Sequence, residues 1–304
     1  MIKKNLAVTA LAILLALPLA CLPQGSFKLL KAGQELREVF SAISQGPTDS
    51  ARIALSLDFQ VRLRNALEIS GSDSYAWDSL KFVAKLESPD GRFRLYNWNV
   101  PLTAGGNRYF CLIQFKGDLK KHKPVGLSEL PSPPDDASKI SCDSAGWYGA
   151  LYYKIIPFET GAKQTAYILF GWNGISRDIS GKLIEVLSFD SNGSPHFGLP
   201  VFPDYLDGKN LRIIFRFSSS ATMSLRYQVQ KVPGKPVWNK SRREYETKDM
   251  TRRMIVFDHL MPMDPQLEGQ YKFYVPASET AEGFFLEGNS WKYVKEFDAK
   301  NPGK

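Results

Sequence analysis

Residues that could do chemistry are sparse in this chain. Its histidines are His122, His196 and His259, and its cysteines are Cys21, Cys111 and Cys142. A zinc site built from sequence-local ligands needs closely spaced Cys or His pairs, and the sequence has no HExxH, CxxC or mixed Cys/His pair. No metal and no cofactor is expected from this inventory. A serine nucleophile on a sharp turn would carry GxSxG, which is absent, and Ser218-Ser219-Ser220 reads as the end of a strand. The most suggestive polar pair is Asp258-His259, after Ile255-Val256-Phe257, because a carboxylate can orient an imidazole for proton transfer. Adjacent strand residues point to opposite faces, however, so a bond between these two is not expected, and a structural role at the strand end is the stronger reading. Asp190-Ser191-Asn192-Gly193 has the look of a calcium loop without its downstream glutamate, and Asn-Gly favours a turn. A carboxylate pair for glycoside cleavage is defined in space and not along the chain, so no catalytic residue is assigned.

Aromatic residues offer binding chemistry instead. Trp98, Trp147, Tyr148, Tyr152, Tyr153, Trp172 and Trp291 sit at or near expected strand ends with Asn and Gly beside several of them. Ring faces flanked by amides suit a carbohydrate or peptide. The candidate ligand-binding residues are therefore Trp98 with Asn99, Trp172 with Asn173, and Asp258 with His259. Most of the 6 Trp and 13 Tyr must nevertheless fill a core. Leu95-Tyr96-Asn97-Trp98-Asn99 echoes Leu169-Phe170-Gly171-Trp172-Asn173, a match too short to establish a repeat.

The cysteines bear on location. Lys3 and Lys4 precede an apolar run from Leu6 to Leu17 that is interrupted only by Thr9 and followed by Pro18. That run is too short to span roughly 30 Å of hydrocarbon, which takes about 20 helical residues, so residues 1–20 read as a secretory signal. Export to the periplasm or outer membrane follows. Cys21 follows Leu17-Pro18-Leu19-Ala20, where a lipoprotein signal would place its acylated cysteine, although Pro18 and Leu19 suit that motif poorly. Lipidation at Cys21 and simple cleavage nearby both remain open. One acyl chain alone would hold a membrane only weakly, and no second anchor is legible. If Cys21 carries lipid, Cys111 and Cys142 are left as a candidate disulfide; the alternative is two unpaired thiols, one of them buried in a strand.

The chain has 304 residues, 43% of them hydrophobic, which is ample for a packed core and excludes disorder as the class. Its formal charge of +8 falls to +6 once Lys3 and Lys4 leave with the signal. The basic clusters are Lys120-Lys121-His122-Lys123 and Arg242-Arg243 with Arg252-Arg253. Each lies in a polar stretch and reads as solvated loop charge, so no nucleic-acid partner is expected.

Several elements must hold these residues. Phe27 to Ser44 reads as an amphipathic helix stopped by Gly46-Pro47. Ile53, Leu55, Leu57, Phe59, Val61 and Leu63 alternate strictly, as a strand does, yet residues 53–67 also place Ile53, Leu57, Val61 and Phe59, Leu63, Leu67 at four-residue spacing, as a helix buried on two sides does. From Leu80 onward the pattern is β: Phe82–Leu86 and Arg92–Trp98 about Ser88-Pro89-Asp90-Gly91, then Tyr109–Phe115, Trp147–Ile156, Ala166–Trp172, Leu183–Phe189, Leu211–Phe217, Met223–Val229, Met254–Leu260, Tyr271–Val275, Phe284–Leu286 and Trp291–Val294. No helical period interrupts the series, which argues against βαβ units. Two interruptions, Lys116–Ser144 and Lys231–Thr251, are long enough to be functional or mobile, and mobility is the plainer expectation.

In order along the chain, Gly71-Ser72, Trp77-Asp78-Ser79-Leu80, Phe93–Asn99 (FRLYNWN), Trp147–Ile156 (WYGALYYKII), Gly171–Gly174 (GWNG) and Ile184–Phe189 (IEVLSF) form a familiar series. It continues with Phe197-Gly198, Pro200-Val201-Phe202, Ile255–Leu260 (IVFDHL) with Pro262, and Tyr274-Val275-Pro276. The series resembles an uncharacterised family of exported Gram-negative bacterial proteins over roughly residues 50–298. The resemblance implies no activity, cofactor or catalytic residue, and it implies a helix for 53–67. The Lys116–Ser144 loop and the Cys111/Cys142 pair fall outside the pattern.

The expected fold is therefore mainly β with a short N-terminal α-helical region. After the signal, residues 21–70 form the helical region and residues 71–304 an antiparallel β meander arranged as a barrel, sandwich or propeller-like array. The expected function is a non-catalytic binding or structural module with an envelope partner or ligand. The alternative is an exported hydrolase acting on glycan or peptide.

Overall fold

The computed structural model describes residues 24–132, 134, 136–234, 236–247 and 249–297. Residues 1–20, expected to be a secretory signal, and Cys21 lie outside the described residues. The protein is mainly β, with two helices at its N-terminal end and antiparallel sheets after them.

Helix α1 (Gln24–Ile43) turns at Gly46-Pro47 into α2 (Asp49–Leu67). Thr48 caps α2 by accepting the Ala51 N–H at 3.1 Å, and Asp49 and Arg64 occupy the helix ends that favour their charges. The ambiguous segment 53–67 is thus helical. It buries one face, through Phe59, Leu63, Ala66 and Leu67, whereas Leu57 and Val61 are about half exposed. The strict alternation over this stretch carries no structural meaning.

Sixteen strands follow among the described residues. The first sheet orders β1 (Ala84–Glu87), β2 (Phe93–Pro101), β3 (Asn107–Phe115) and β4 (Val125–Leu127) side by side. The tight turn from β1 to β2 forms at Ser88–Gly91, where Gly91 takes φ +71° and the Ser88 hydroxyl accepts the Arg92 and Phe93 N–H groups. The second sheet contains β5 (Cys142–Asp143), β6 (Leu151–Glu159), β7 (Thr165–Gly174), β8 (Ile179–Phe189) and β9 (Pro195–Phe197) in the order β5-β9-β8-β7-β6, and β10 (Ile213–Ser218) pairs with β8. The third orders β11 (Leu225–Pro233), β14 (Asp249–Pro262), β15 (Tyr274–Glu287) and β16 (Ser290–Phe297). Between β11 and β14 the chain forms a two-stranded ribbon, β12 (Val237–Asn239) with β13 (Glu244–Glu246).

These units stack as helices, first sheet, second sheet and third sheet, with apolar cores between them. Phe59 and Leu63 of α2 pack with Tyr96, Trp98, Val100, Phe110 and Leu112 on one face of the first sheet. From its other face Phe93, Leu95, Tyr109, Cys111 and Ile113 meet Tyr152, Ile155, Tyr167, Leu169, Leu183 and Leu187 of the second sheet. Ile168, Phe170, Ile184 and Val186 then face Leu225, Ile255, Phe257, Phe284 and Trp291 of the third. Two inner sheets covered on both faces explain why Tyr109–Phe115 and Ala166–Phe170 are unbroken apolar or buried runs instead of alternating ones. Among the described residues no closed barrel forms; the arrangement is a stack of open sheets.

The two interruptions are structured. Lys116–Ser144 carries β4, β5 and two short 3-10 turns, and it buries Leu127, Ala137 and Cys142. Lys231–Thr251 carries the β12–β13 ribbon. Among the described residues no helix is long and apolar enough to cross a membrane.

Candidate functional site

Trp98 is 2% exposed, edge-on to Phe59 at 4.9 Å and stacked on Phe110 at 5.4 Å. Its ring face is occupied by the helix–sheet core, which corrects the expectation of a ligand platform there. Trp147 and Trp291 are buried as well, while Trp172 is partly buried. The amides beside the candidate tryptophans are used internally. Asn99 Nδ2 donates to Asn107 Oδ1 at 2.5 Å, Asn107 Nδ2 to the Gly174 carbonyl at 3.3 Å, and Asn173 Nδ2 to the Gly149 carbonyl at 2.7 Å. The Tyr109 hydroxyl accepts the Gly174 N–H at 2.7 Å. Both Trp-Asn pairs therefore end at one polar seam that ties the first sheet to the second.

Asp258 and His259 do not bond to each other. Asp258 Oδ2 accepts the Ser224 N–H at 2.6 Å, while His259 Nδ1 lies 2.6 Å from Glu282 Oε1. The register of β14 against β15 shifts between Asp258 and Leu260, which turns His259 towards Glu282. Glu282 is buried and His259 partly exposed. The carboxylate that orients this imidazole comes from another strand, 23 positions away, and nothing in the local sequence marks it. Cys111 and Cys142 are unbonded, buried thiols, so the candidate disulfide is absent here. Both side chains fill the core between the first and second sheets, and burial raises both thiol pKa values.

The strongest charges inside the protein were not legible beforehand. Arg212 and Glu185 are both completely buried, with Arg212 Nε donating to Glu185 Oε1 at 2.6 Å. The other Glu185 oxygen accepts the Tyr152 hydroxyl, which accepts Trp147 Nε1–H at 2.7 Å. One Arg212 terminal nitrogen donates to the Ala137 and Ile140 carbonyls, pinning the Lys116–Ser144 segment to the second sheet. The guanidinium also lies over the Tyr148 ring, 5.5 Å from its centroid. Burial is the largest single influence and works against the Arg212 charge, but Glu185 and then Cys142 together more than offset it and raise the pKa. Burial, then Glu185, raises the Tyr152 hydroxyl far above its ordinary range. Apart from Arg212 Nη2, which is buried without a hydrogen-bond partner, this sealed network is satisfied internally, which suits a structural clamp.

Glu129 is the carboxylate best prepared for proton chemistry. Its Oε2 accepts the Tyr109 N–H at 2.9 Å and lies 3.3 Å from Arg108 Nε, yet its side chain is only 11% exposed. Burial pushes its pKa up to about 7, against the opposing pull of Tyr109 N–H and Arg108. Gly149 presses on it, since a methyl there would come within 2.6 Å of Glu129 Oε1.

The basic Lys120–Lys123 run borders a depression of about 260 Å³ at the C-terminal end of α2. Lys120 pairs with Asp73 at 2.8 Å. Buried on its floor, Gln114 donates to Leu67 O and Ser72 Oγ and accepts from the Tyr96 hydroxyl. That floor is committed to internal bonds. Among the described residues no group of three or more His, Cys, Asp or Glu side chains could hold a metal ion.

Large exposed aromatics gather elsewhere, on the β12–β13 ribbon. Trp238 and Tyr245 are direct cross-strand partners with ring centroids 5.1 Å apart, and they are 48% and 70% exposed. Val237 is exposed beside them, and Lys240, Arg242 and Arg243 form the connecting turn or its border. Arg243 takes φ +53°, a tight-turn conformation, and Arg242 pairs with Glu246 at 3.0 Å. The sequence contained the signal, Trp238 inside a basic stretch, but not the pairing that displays it.

Comparison with known proteins finds no matching family model, curated protein or solved structure.

Proposed function

We propose that this chain is an exported cell-envelope protein that works as a non-catalytic binding module, with the β12–β13 ribbon as its contact surface. The observation that carries this reading is the exposed Trp238–Tyr245 pair on a ribbon that extends the β11–β14 hairpin. A paired aromatic surface gives contact area at low entropic cost. The internal charges support the same reading, because Glu185 and Arg212 are fully buried and the Asp258–His259 pair is divided between separate partners.

The test is sedimentation of the exported Cys21→Ser chain with isolated bacterial envelopes. Trp238→Ala/Tyr245→Ala is expected to weaken binding tenfold or more, on the order of one strong aromatic contact, without changing thermal stability. Undiminished binding by the double variant refutes the reading.

Glu129 favours a second reading, an exported hydrolase, because a buried carboxyl with its pKa pushed up to about 7 can donate or accept a proton near neutrality. Turnover of a glycan or peptide substrate that disappears in Glu129→Gln, with the fold intact, would select it over the binding module.

A further inference from the structure

We propose that the β11–β14 hairpin, with its β12–β13 ribbon, is a docking arm for the anionic surface of a lipid bilayer. The proposal rests on reading the chain as a binding module and names the partner of that module.

Charge is the first argument. Residues 231–253 contain eight Lys or Arg against three Asp or Glu, a net +5. The whole chain without Lys3 and Lys4 carries +6, so this one hairpin holds nearly all of the excess. Lys231, Lys240, Arg242, Arg243 and Arg253 are exposed on it. Like charges collected on one exposed element are favourable only against a surface of opposite sign, and each basic residue close to an anionic leaflet adds to the attraction.

The aromatic placement is the second. Trp238 and Tyr245 are cross-strand neighbours on one face of the ribbon, while Glu246 and Glu244 oppose Val237 and Asn239 at the alternate positions. Strand alternation therefore puts the ribbon's two carboxylates on the face away from the aromatic pair. An aromatic face without carboxylates, next to a connecting turn that carries Lys240, Arg242 and Arg243, with Arg242 drawn to Glu246 at 3.0 Å, suits the headgroup boundary, where the apolar parts of Trp and Tyr enter and their polar tips stay wet. The two rings meet edge to face and are not spread along the ribbon as successive stacking platforms, which disfavours single-stranded nucleic acid. Such an arm would also complete the anchoring of a chain acylated at Cys21, because one acyl chain binds a bilayer only marginally and a basic patch is an effective second signal.

The test uses the exported Cys21→Ser chain, so that no acyl chain contributes, with vesicles of phosphatidylglycerol in phosphatidylcholine and of phosphatidylcholine alone. The chain is expected to sediment with the anionic vesicles, weakly or not at all with the neutral ones, and to be released by salt. Lys240→Gln/Arg242→Gln/Arg243→Gln should lower partitioning about 100-fold, at about fivefold per charge. Trp238→Ala/Tyr245→Ala should lower it on the order of tenfold. Both variants change exposed residues and should keep the parent's thermal midpoint. Equal binding to the two vesicle types, indifference to the triple variant, or tighter binding to duplex DNA at the same salt would each overturn the proposal. If vesicle binding fails while envelope binding still depends on Trp238 and Tyr245, the lipid assignment falls and the binding module stands. If both fail, both fall.

Discussion

Replacing Arg212 with Met removes the cation that neutralises Glu185 at a point where neither side chain touches water. Breaking a buried pair from one side costs about 3–5 kcal/mol, because the remaining charge stays buried and unpaired. The same change strips the Ala137 and Ile140 carbonyls of their donor, which adds at least about 1 kcal/mol. A loss of about 4–6 kcal/mol is expected, a large share of the roughly 5–15 kcal/mol that stabilises a folded domain. At about 2–4 °C per kcal/mol for a chain of this size, the thermal midpoint should fall by about 10–20 °C. Urea unfolding followed by far-UV circular dichroism would measure it, read as a lower midpoint at unchanged slope. Arg212→Met/Glu185→Leu should be more stable than the single variant by about 2–3 kcal/mol, because the stranded carboxylate is gone. It should still fall short of the wild type, since the two carbonyls and the Tyr152 hydroxyl lose partners. A single variant costing less than about 1 kcal/mol would refute the reasoning by showing that water reaches Glu185.

Other outcomes follow from the same interior. Glu129 has a folded pKa of about 7 against an ordinary 4.5, so its contribution to stability is fully present below pH 4.5 and is lost as pH rises through 7. A carboxyl that stays protonated in the folded chain while it ionises in the unfolded one loses about 1.4 kcal/mol of stability for each pH step between those two values. The stability of the wild type relative to Glu129→Gln should therefore drop by about 3 kcal/mol between pH 4.5 and 8, and parallel profiles would contradict it. Gly149→Ala, at φ +88° and against Glu129 Oε1, should cost about 2–3 kcal/mol in urea unfolding and flatten the same pH dependence. In the Cys21→Ser chain neither Cys111 nor Cys142 should react promptly with a thiol reagent before unfolding, and dithiothreitol should leave the thermal midpoint unchanged. A midpoint lowered by reductant would reveal a disulfide.

Much of the architecture was legible because its signals are local. Gly46-Pro47 stops α1, Ser88–Gly91 turns β1 into β2, and Asp190–Gly193 closes a turn in which Asp190 Oδ1 accepts the Asn192 and Ser194 N–H groups. Most of the long strands were legible from apolar runs, even where burial on both faces erased alternation. However, Tyr271–Phe273 is a 3-10 turn, Phe284–Leu286 is part of one strand from Tyr274 to Glu287, and the short strands β4, β5, β9, β12 and β13 carry no such run. Periodicity failed for residues 53–67, where two patterns coincided; the resemblance favoured a helix, and packing on the first sheet is what holds it. Local pattern failed for Lys116–Ser144 too, because Arg212, far along the chain, supplies the bonds that hold the Ala137–Ile140 turn.

The candidate site divides in the same way. Composition and order along the chain determined that the protein is β-rich after a helical start, that its aromatics must mostly be core, and that a basic stretch surrounds Trp238. Tertiary structure alone decided that Trp98 is core, that His259 answers to Glu282 and not to its neighbour Asp258, and that Glu185 finds Arg212 in the interior. It also turned Trp238 and Tyr245 into one exposed pair. The physical reason is that a side chain's chemistry depends on its solvent exposure and its partners, and sheet stacking brings together partners that are many residues apart.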